Sequence, residues 1–271
     1  MADSNERRTR GLETLQSLTG SPDPALSARG LEDANGALAS FVIDHFFGDV
    51  WSRPGLNKRD RSLIAIASLT SQYLLDPPLK TNIKGGINHG LTPTEVREII
   101  IHLCGYVGFP KTIDAMAIAN QVFVEMGLAS ADDKLEPAKR IDLEERRRLG
   151  SAALSRVTGG AFPSDPQQAL AAVQSQLGNL GTYAVEFLFA EVWTREELSR
   201  RDRSLIVVTA LASLGRKDEL DIHVPGSVQH GVSKEELEEL MIMISAYAGF
   251  PFAVEGMRVI NDKLKSADIT A

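Results

Sequence analysis

The sequence predicts an all-α protein built from two copies of one helical domain. Arg-Asp-Arg-Ser-Leu-Ile occurs at residues 59–64 and again at 201–206, and Gly-Phe-Pro occurs at 108–110 and at 249–251. The wide separation of the repeats indicates a duplicated domain rather than a short-period solenoid. Apolar residues recur at three- and four-residue spacing and no segment alternates convincingly with a period of two, which favours helices over strands.

Each copy opens with a long apolar helix, predicted over 25–51 and 167–193. An Asp-Pro pair precedes both, so an aspartate caps the helix and a proline that needs no helical N–H follows it. A second helix, rich in Leu, Ile and Val, is predicted over 58–75 and 199–214. It begins at the repeated Arg-Asp-Arg-Ser motif.

The last two helices of each copy are delimited by local signals. Residues 92–95 and 233–236 fit a capping box, in which a hydroxyl and a carboxylate satisfy each other's backbone donors. The helices that follow end before Gly-Phe-Pro, where the glycine stops one helix and the proline starts the next. The final helices are predicted to run to about Gly127 and Lys265.

The polar interval between the repeats is the natural linker. We therefore predict an N-terminal repeat over 1–130, a linker over 131–143 and a C-terminal repeat over 144–271. The chain has 271 residues, of which 43% are hydrophobic and 24% charged, as expected for a globular protein with a sizeable core.

Charge and cysteine content exclude several classes of function. The net charge of −7 argues against nucleic acid or an anionic membrane as a partner. The single cysteine excludes an intrachain disulfide and a cysteine-based metal site. No run approaches the length of a membrane span and the first residues do not resemble a secretory signal, so we expect a cytoplasmic protein.

The two copies differ at one short helix. In copy two, Glu219, His223, Gly226 and His230 lie on one helical stripe. A carboxylate one turn from an imidazole can orient the ring and raise its basicity, although such pairs also occur as plain surface contacts. Gly226 leaves room for a substrate or for a neighbouring backbone.

Copy one lacks this couple. Its equivalent positions hold Pro78, Asn82, Gly85 and His89, and a Pro-Pro pair reshapes the helix start. His89 and His230 occur in both copies just before a glycine, which favours a structural role at the C-terminal end of the helix dipole. The Glu219–His223 pair is therefore a feature of copy two alone.

Taken together, these motifs resemble the carboxymuconolactone decarboxylase family, which shares its all-helical fold with alkyl hydroperoxidase D-like proteins. The resemblance covers about 12–124 and 150–264. The peroxidase branch uses Cys-x-x-Cys-x-x-x-His on the short helix, but here Arg216 and Glu219 replace the cysteines. Thiol-dependent peroxide reduction is therefore unavailable there. Cys104, which aligns with Ser245, is expected to be a small buried residue.

The decarboxylase branch resembles copy two at Glu219 and His223, and copy one departs from it at both positions. The resemblance therefore implies that copy two is the active copy and copy one a scaffold or a supplier of binding residues. It also implies a substrate that is a carboxylated lactone or a related small cyclic acid, with no metal and no organic cofactor. We assign His223 as proton donor and Glu219 as the group that orients it. Candidate substrate-binding residues are Arg201, Arg203, Arg216, Tyr247 and His230. The repeated arginines are equally consistent with an ion-pair network between helices, and the tyrosines Tyr106 and Tyr247 with core positions.

Two other classes of function stay open at this stage. One is a peroxidase-type oxidoreductase, and the other is a non-catalytic protein that binds a small molecule. The family also implies assembly into rings of six domains, so a chain with two fused domains is predicted to form a homotrimer. A monomeric mass in light scattering would contradict that prediction.

Overall fold

The computed structural model describes residues 4–129 and 135–266, and all regular secondary structure in these ranges is helical. The first repeat contains α1 (Ser4–Thr19), α2 (Pro24–Asn35), α3 (Ala37–Phe41), α4 (Lys58–Gln72), α5 (Lys80–Asn88), α6 (Pro93–Val107) and α7 (Phe109–Glu125). The second contains α8 (Leu143–Val157), α9 (Pro166–Leu177), α10 (Asn179–Tyr183), α11 (Arg200–Ser213), α12 (Lys217–Gln229), α13 (Lys234–Tyr247) and α14 (Phe250–Ser266). The predicted tandem, all-α fold is confirmed.

The long first helix of each repeat is interrupted, contrary to the prediction of continuous helices over 25–51 and 167–193. Gly36 and Gly178 break them with φ values of 55° and 59°, a region that favours glycine. Each break is followed by a short α-helix that continues as a π-helix, over Val42–Val50 in one repeat and Ala184–Val192 in the other. The apolar periodicity continues across both breaks, so the pattern alone did not reveal them.

The short helices α5 and α12 differ in length for the reason that the sequence suggested. A π-helical turn, Leu75–Leu79, precedes α5, and Asp76 within it has non-helical angles (φ −122°, ψ 127°). Helix α5 therefore begins at Lys80, whereas α12 begins directly at Lys217. The predicted capping boxes at Thr92 and Ser233 are both formed.

The two repeats pack against each other through α4 and α11, whose residues from the shared motif onward are almost all buried. Their Arg-Asp-Arg motifs form reciprocal ion pairs between the repeats. Arg59 bonds to Asp202 at 3.0 Å, and Arg201 bonds to Asp60 at 2.8 Å. Ser68 and Ser213 share a hydrogen bond of 2.8 Å further along the same helices. The repeats therefore form one continuous core.

Several large apolar side chains lie exposed on the outer helices. Leu38 and Phe41 on α3 have equivalents in Leu180 and Tyr183 on α10, all more than 60% exposed. The starts of α7 and α14 carry further exposed residues, namely Phe109, Ile113, Phe250, Phe252 and Val254. Contiguous patches of exposed apolar residues are typical of contact surfaces. The predicted trimer stays a prediction.

Within the described ranges, no helix has both the length and the apolarity needed to cross a membrane. Residues 135–142 of the predicted linker have no regular secondary structure, and Asp142 caps α8 by accepting a hydrogen bond from the Glu145 backbone. Residues 131–134 of the predicted linker lie outside the described ranges.

Candidate active site

Two equivalent sites arise because α6 and α13 each reach across to the other repeat. Around His223 lie Trp193 and His230 of the second repeat with His102 and Tyr106 of the first, and we call this group the His223 site. The equivalent group, called the Asn82 site, contains Phe46, Trp51, Asn82 and His89 of the first repeat with Tyr247 of the second. Each site is thus assembled from both repeats.

His223 lies on α12, partly buried between aromatic rings. Its ring stacks nearly parallel to Trp193 (11° between planes, centroids 6.2 Å apart) and meets Tyr106 edge-on at 5.7 Å. Burial, and secondarily the neighbouring His230, lowers the pKa of His223 from 6.5 to about 4. The imidazole is therefore neutral at pH 7 in the free protein. The sequence had suggested that a neighbouring carboxylate makes the ring more basic, and the lowered pKa is the opposite of that expectation.

Glu219 does not orient His223 in this structure. It lies one turn earlier on α12, but its side chain is exposed and forms no hydrogen bond or ion pair with any described residue. Gly226, on the same stripe, faces a backbone rather than a cavity, because an added Cβ would lie 1.8 Å from the Val157 carbonyl oxygen. Of the two interpretations of this glycine, close packing of α12 on α8 is the one observed.

Tyr106 Oη accepts a hydrogen bond of 2.8 Å from Trp193 Nε1. Because a phenol has one hydrogen to donate, that bond leaves the O–H free, and no described residue accepts from it. Burial raises the pKa of Tyr106, so the hydroxyl keeps its proton. Its equivalent Tyr247 differs, because Tyr247 donates to Asn82 Oδ1 at 3.0 Å. Tyr247, predicted to bind substrate beside His223, therefore lies at the Asn82 site instead.

His102 is a fully buried residue that the sequence analysis did not select. Arg203 Nη1 lies 3.1 Å from His102 Nδ1, and because a guanidinium can only donate, Nδ1 accepts. Nε2 then carries the hydrogen of the neutral ring, and among described residues it has no partner. Burial and the Arg203 charge hold the pKa of His102 well below 6.5. The equivalent position in the second repeat is Met243, a difference that comparison of the repeats could have revealed.

His230 ends α12 and contacts Trp193, with ring centroids 6.0 Å apart. Its Nδ1 lies 2.8 Å from Ser204 Oγ, and the His89–Ser62 pair repeats this bond at 2.7 Å. Burial lowers the pKa of His230 and His89 to about 4. Both rings are therefore neutral at pH 7. The sequence had suggested that they interact with the C-terminal end of the helix dipole, but a neutral ring does not act as a charged partner there.

The predicted anchoring arginines are either held in ion pairs or exposed at the surface. Arg201 pairs with Asp60 and with Glu236, a carboxylate of the second capping box. Arg203 is fully buried and bonds to Glu98 as well as to His102. Arg216 lies exposed ahead of α12, and its side chain forms no hydrogen bond or ion pair with a described residue. The ion-pair interpretation of the motif is the one observed, and a role in substrate binding stays a prediction.

Comparison with known proteins gives the family. A model of the carboxymuconolactone decarboxylase family matches residues 36–121 and 179–262, which together make up more than half of the chain. The chain belongs to the carboxymuconolactone decarboxylase family. Both matched segments contain one complete site helix, α5 or α12, so the duplication includes the site as well as the scaffold.

Two curated proteins with similar sequences are decarboxylases. The chain is 34% identical over 127 residues to 4-carboxymuconolactone decarboxylase of Acinetobacter baylyi, an alignment that covers 47% of this chain and 94% of the relative. It is 37% identical over 86 residues to nitrosuccinic acid decarboxylase of Metarhizium robertsii, covering 31% of this chain and 59% of the relative.

A solved structure shares the whole fold. A protein described as a gamma-carboxymuconolactone decarboxylase subunit of Burkholderia xenovorans superposes with a TM-score of 0.56 at 22% identity, covering 96% of this chain and 98% of that one. The superposition covers both repeats, so the fold is shared along nearly the whole chain.

Cys104 is the one cysteine of this carboxymuconolactone decarboxylase family member. It lies partly buried on α6, two residues before Tyr106, and burial raises the pKa of its thiol. A raised pKa disfavours the thiolate, which is the nucleophile in thiol redox chemistry. The side chain therefore lacks the properties of a peroxidase cysteine.

Proposed function

We propose that this protein is a cofactor-independent decarboxylase that releases CO₂ from a carboxylated lactone or a related small cyclic acid. The observation that carries the proposal is that two equivalent sites differ in their histidines. His102 and His223 both lie at one site, whereas the equivalent positions hold Met243 and Asn82. Decarboxylation by two relatives with differently named substrates supports the reaction class rather than one substrate.

The chemistry places two demands on the protein. When the bond to the carboxylate breaks, CO₂ leaves and the bonding electron pair passes into the ring, where the conjugated lactone carbonyl oxygen takes up the negative charge. A proton must then add to a ring carbon. The protein therefore supplies a hydrogen-bond donor at the oxygen and an acid at the carbon. The lactone itself is the electron acceptor in this scheme.

Tyr106 is suited to the role of oxyanion donor. Its oxygen already accepts from Trp193, which fixes the phenol and leaves the O–H available. A fixed donor in a largely buried site stabilises developing negative charge more than a solvated one, because it needs no reorganisation during the reaction. At the Asn82 site the same hydroxyl is occupied by the amide, so the equivalent tyrosine is not available.

His223 is the proposed proton donor, and it acquires its proton together with the substrate. The free imidazole is neutral at pH 7, but a substrate carboxylate beside it favours the imidazolium and raises the pKa. After CO₂ leaves, the imidazolium gives its proton to the ring carbon and returns to the neutral form. The carboxylated lactone anion plus one proton thus becomes CO₂ plus the neutral lactone, with a C–H bond in place of the C–C bond that broke.

Binding of an unreactive analogue should therefore take up a proton at His223. The free pKa of about 4 is raised in the complex, so affinity should increase as pH falls through the window between the two values. Calorimetric titration with γ-butyrolactone γ-carboxylate, near pH 6 in buffers of different ionisation enthalpy, measures the uptake. His223→Ala should abolish it. Equal uptake in wild type and variant would exclude His223 as the acceptor.

The function is tested by assaying CO₂ release from a panel of carboxylated γ-lactones and β-keto acids. We expect release from at least one carboxylated lactone by the purified protein without added cofactor, at a rate that scales with protein concentration. Trp51→Phe, at the Asn82 site, serves as a folded control that keeps the rate. If no acid in the panel loses CO₂ faster than with heat-inactivated protein, the proposed reaction is refuted.

A further inference from the structure

A cavity of about 300 Å³ lies beside the His223 site. We call it the Arg156 pocket. It is lined by Leu149, Ala153, Arg156, Val157, Trp193, Thr194, Glu196, Arg200 and His230. Trp193 and His230 therefore belong to both the His223 site and the pocket.

The two arginines of the pocket are not held in ion pairs with described residues. Among described residues, neither Arg156 nor Arg200 forms a hydrogen bond or an ion pair through its side chain, although the exposed Glu196 lies on the same wall. Burial and the charge of Arg200 lower the pKa of Arg156, which reflects two like charges held close together. Such an arrangement is unfavourable until an anion enters.

The equivalent polar groups of the first repeat are hydrogen-bonded to one another. Gly85 packs on Leu18 as Gly226 packs on Val157, so the preceding residues Ser17 and Arg156 are equivalent. Ser17 Oγ lies 3.0 Å from His89 Nε2 and accepts from Lys58 Nζ at 3.4 Å.

In the second repeat arginines replace both of these partners. Arg156 stands in the place of Ser17, and Arg200 in the place of Lys58. His230 Nε2, equivalent to the His89 nitrogen that Ser17 satisfies, is buried and has no partner among described residues. One repeat therefore has a satisfied polar cluster, and the other has two unpaired cations and an unpaired ring nitrogen.

We propose that Arg156 and Arg200 form a binding pocket for a small carboxylate, with His230 in its wall. The guanidinium groups supply the fork of N–H donors that matches a carboxylate. The volume suits a small molecule rather than a macromolecule. The proposal does not depend on decarboxylation, although a carboxylate held there would lie against the tryptophan that stacks on His223.

Succinate is the probe and neutral succinamide, of nearly the same shape, is its control. Isothermal titration at pH 8 should show one succinate per chain and no saturable binding of succinamide. Arg156→Gln and Arg200→Gln should each weaken succinate binding about tenfold, as expected for loss of one charge-assisted hydrogen bond. Both arginines are exposed, so the variants should fold, which circular dichroism checks.

Lys58→Gln is the matched control in the first repeat and should keep the wild-type affinity. His223→Ala should also bind succinate normally, so failure of the pocket and failure of the decarboxylase proposal are told apart. Absence of saturable succinate binding, or binding insensitive to both arginine variants, would overturn the pocket. Inorganic phosphate binding more tightly than succinate would overturn its assignment to a carboxylate.

Discussion

Replacing Glu98 with alanine should lower the free energy of unfolding by about 3–5 kcal/mol. Glu98 accepts hydrogen bonds at 2.9 Å from Arg195 and at 3.2 Å from Arg203. Because Arg203 is 0% exposed, the variant would leave a buried charge without its carboxylate. Urea denaturation followed by circular dichroism measures the change from the shift in midpoint and the slope.

Two further variants serve as controls, one with a similar expected loss of stability and one with a small expected loss. Glu239→Ala should have an effect of similar size, because Glu239 pairs in the same way with the fully buried Arg61 and with Arg53. Glu145→Ala removes only an exposed pair with Arg148 and should leave the denaturation midpoint nearly unchanged. A loss for Glu98→Ala as small as that for Glu145→Ala would show that the buried network does not stabilise the fold.

The Glu98 network also links stability to the site. Arg203 bonds at once to Glu98 and to His102, and Arg195, on the segment after Trp193, bonds to the same carboxylate. The contacts that join the repeats therefore also fix the tautomer of one site histidine and anchor the chain next to the site tryptophan.

Most of the fold could be predicted from local signals. The Arg-Asp-Arg motif, the capping boxes and the Gly-Phe-Pro repeats depend on neighbouring residues, and the helices they delimit are present. The breaks at Gly36 and Gly178 were not predicted, because each lies inside an apolar pattern that continues unchanged beyond it. A glycine within a helix and a glycine at a break are alike in sequence, and tertiary packing decides between them.

The site was harder to predict because it is assembled across the repeats. His223 was identified because comparison of the copies showed that the equivalent position in copy one holds Asn82 instead of a histidine. Tyr106 and Tyr247 are equivalent in sequence, so only the crossing of α6 and α13 shows that Tyr106 is the one beside His223. Arg156 was missed because the residue offset that aligns α1 with α8 differs from the offset that aligns the later helices. Comparison of the repeats by sequence alone therefore did not pair Arg156 with Ser17.

His223→Ala should lower turnover of the true substrate by about 10²–10⁴-fold, the range expected for loss of a positioned general acid. The ring is held by stacking and edge contacts to Trp193 and Tyr106. Its replacement would remove the proton donor and leave the tyrosine hydroxyl in place. Substrate affinity should change less than turnover, because the proton is transferred during the reaction.

Asn82→Ala is the matched control, because Asn82 occupies the equivalent position in the first repeat. It removes a hydrogen bond from Tyr247 and a partly buried amide, so its structural cost is comparable. Glu219→Gln is a second control: the exposed carboxylate forms no bond with His223, and turnover should stay within about twofold of wild type. A large loss with Glu219→Gln would restore the orienting role that the helix spacing suggested.

The most direct measurement is CO₂ release by His223→Ala and Asn82→Ala, assayed side by side on the same carboxylated lactone. We predict that the first variant loses nearly all turnover while the second, equally well folded, keeps it. Equal losses in both variants, or normal turnover without His223, would contradict a single active site assembled around the second repeat's histidine.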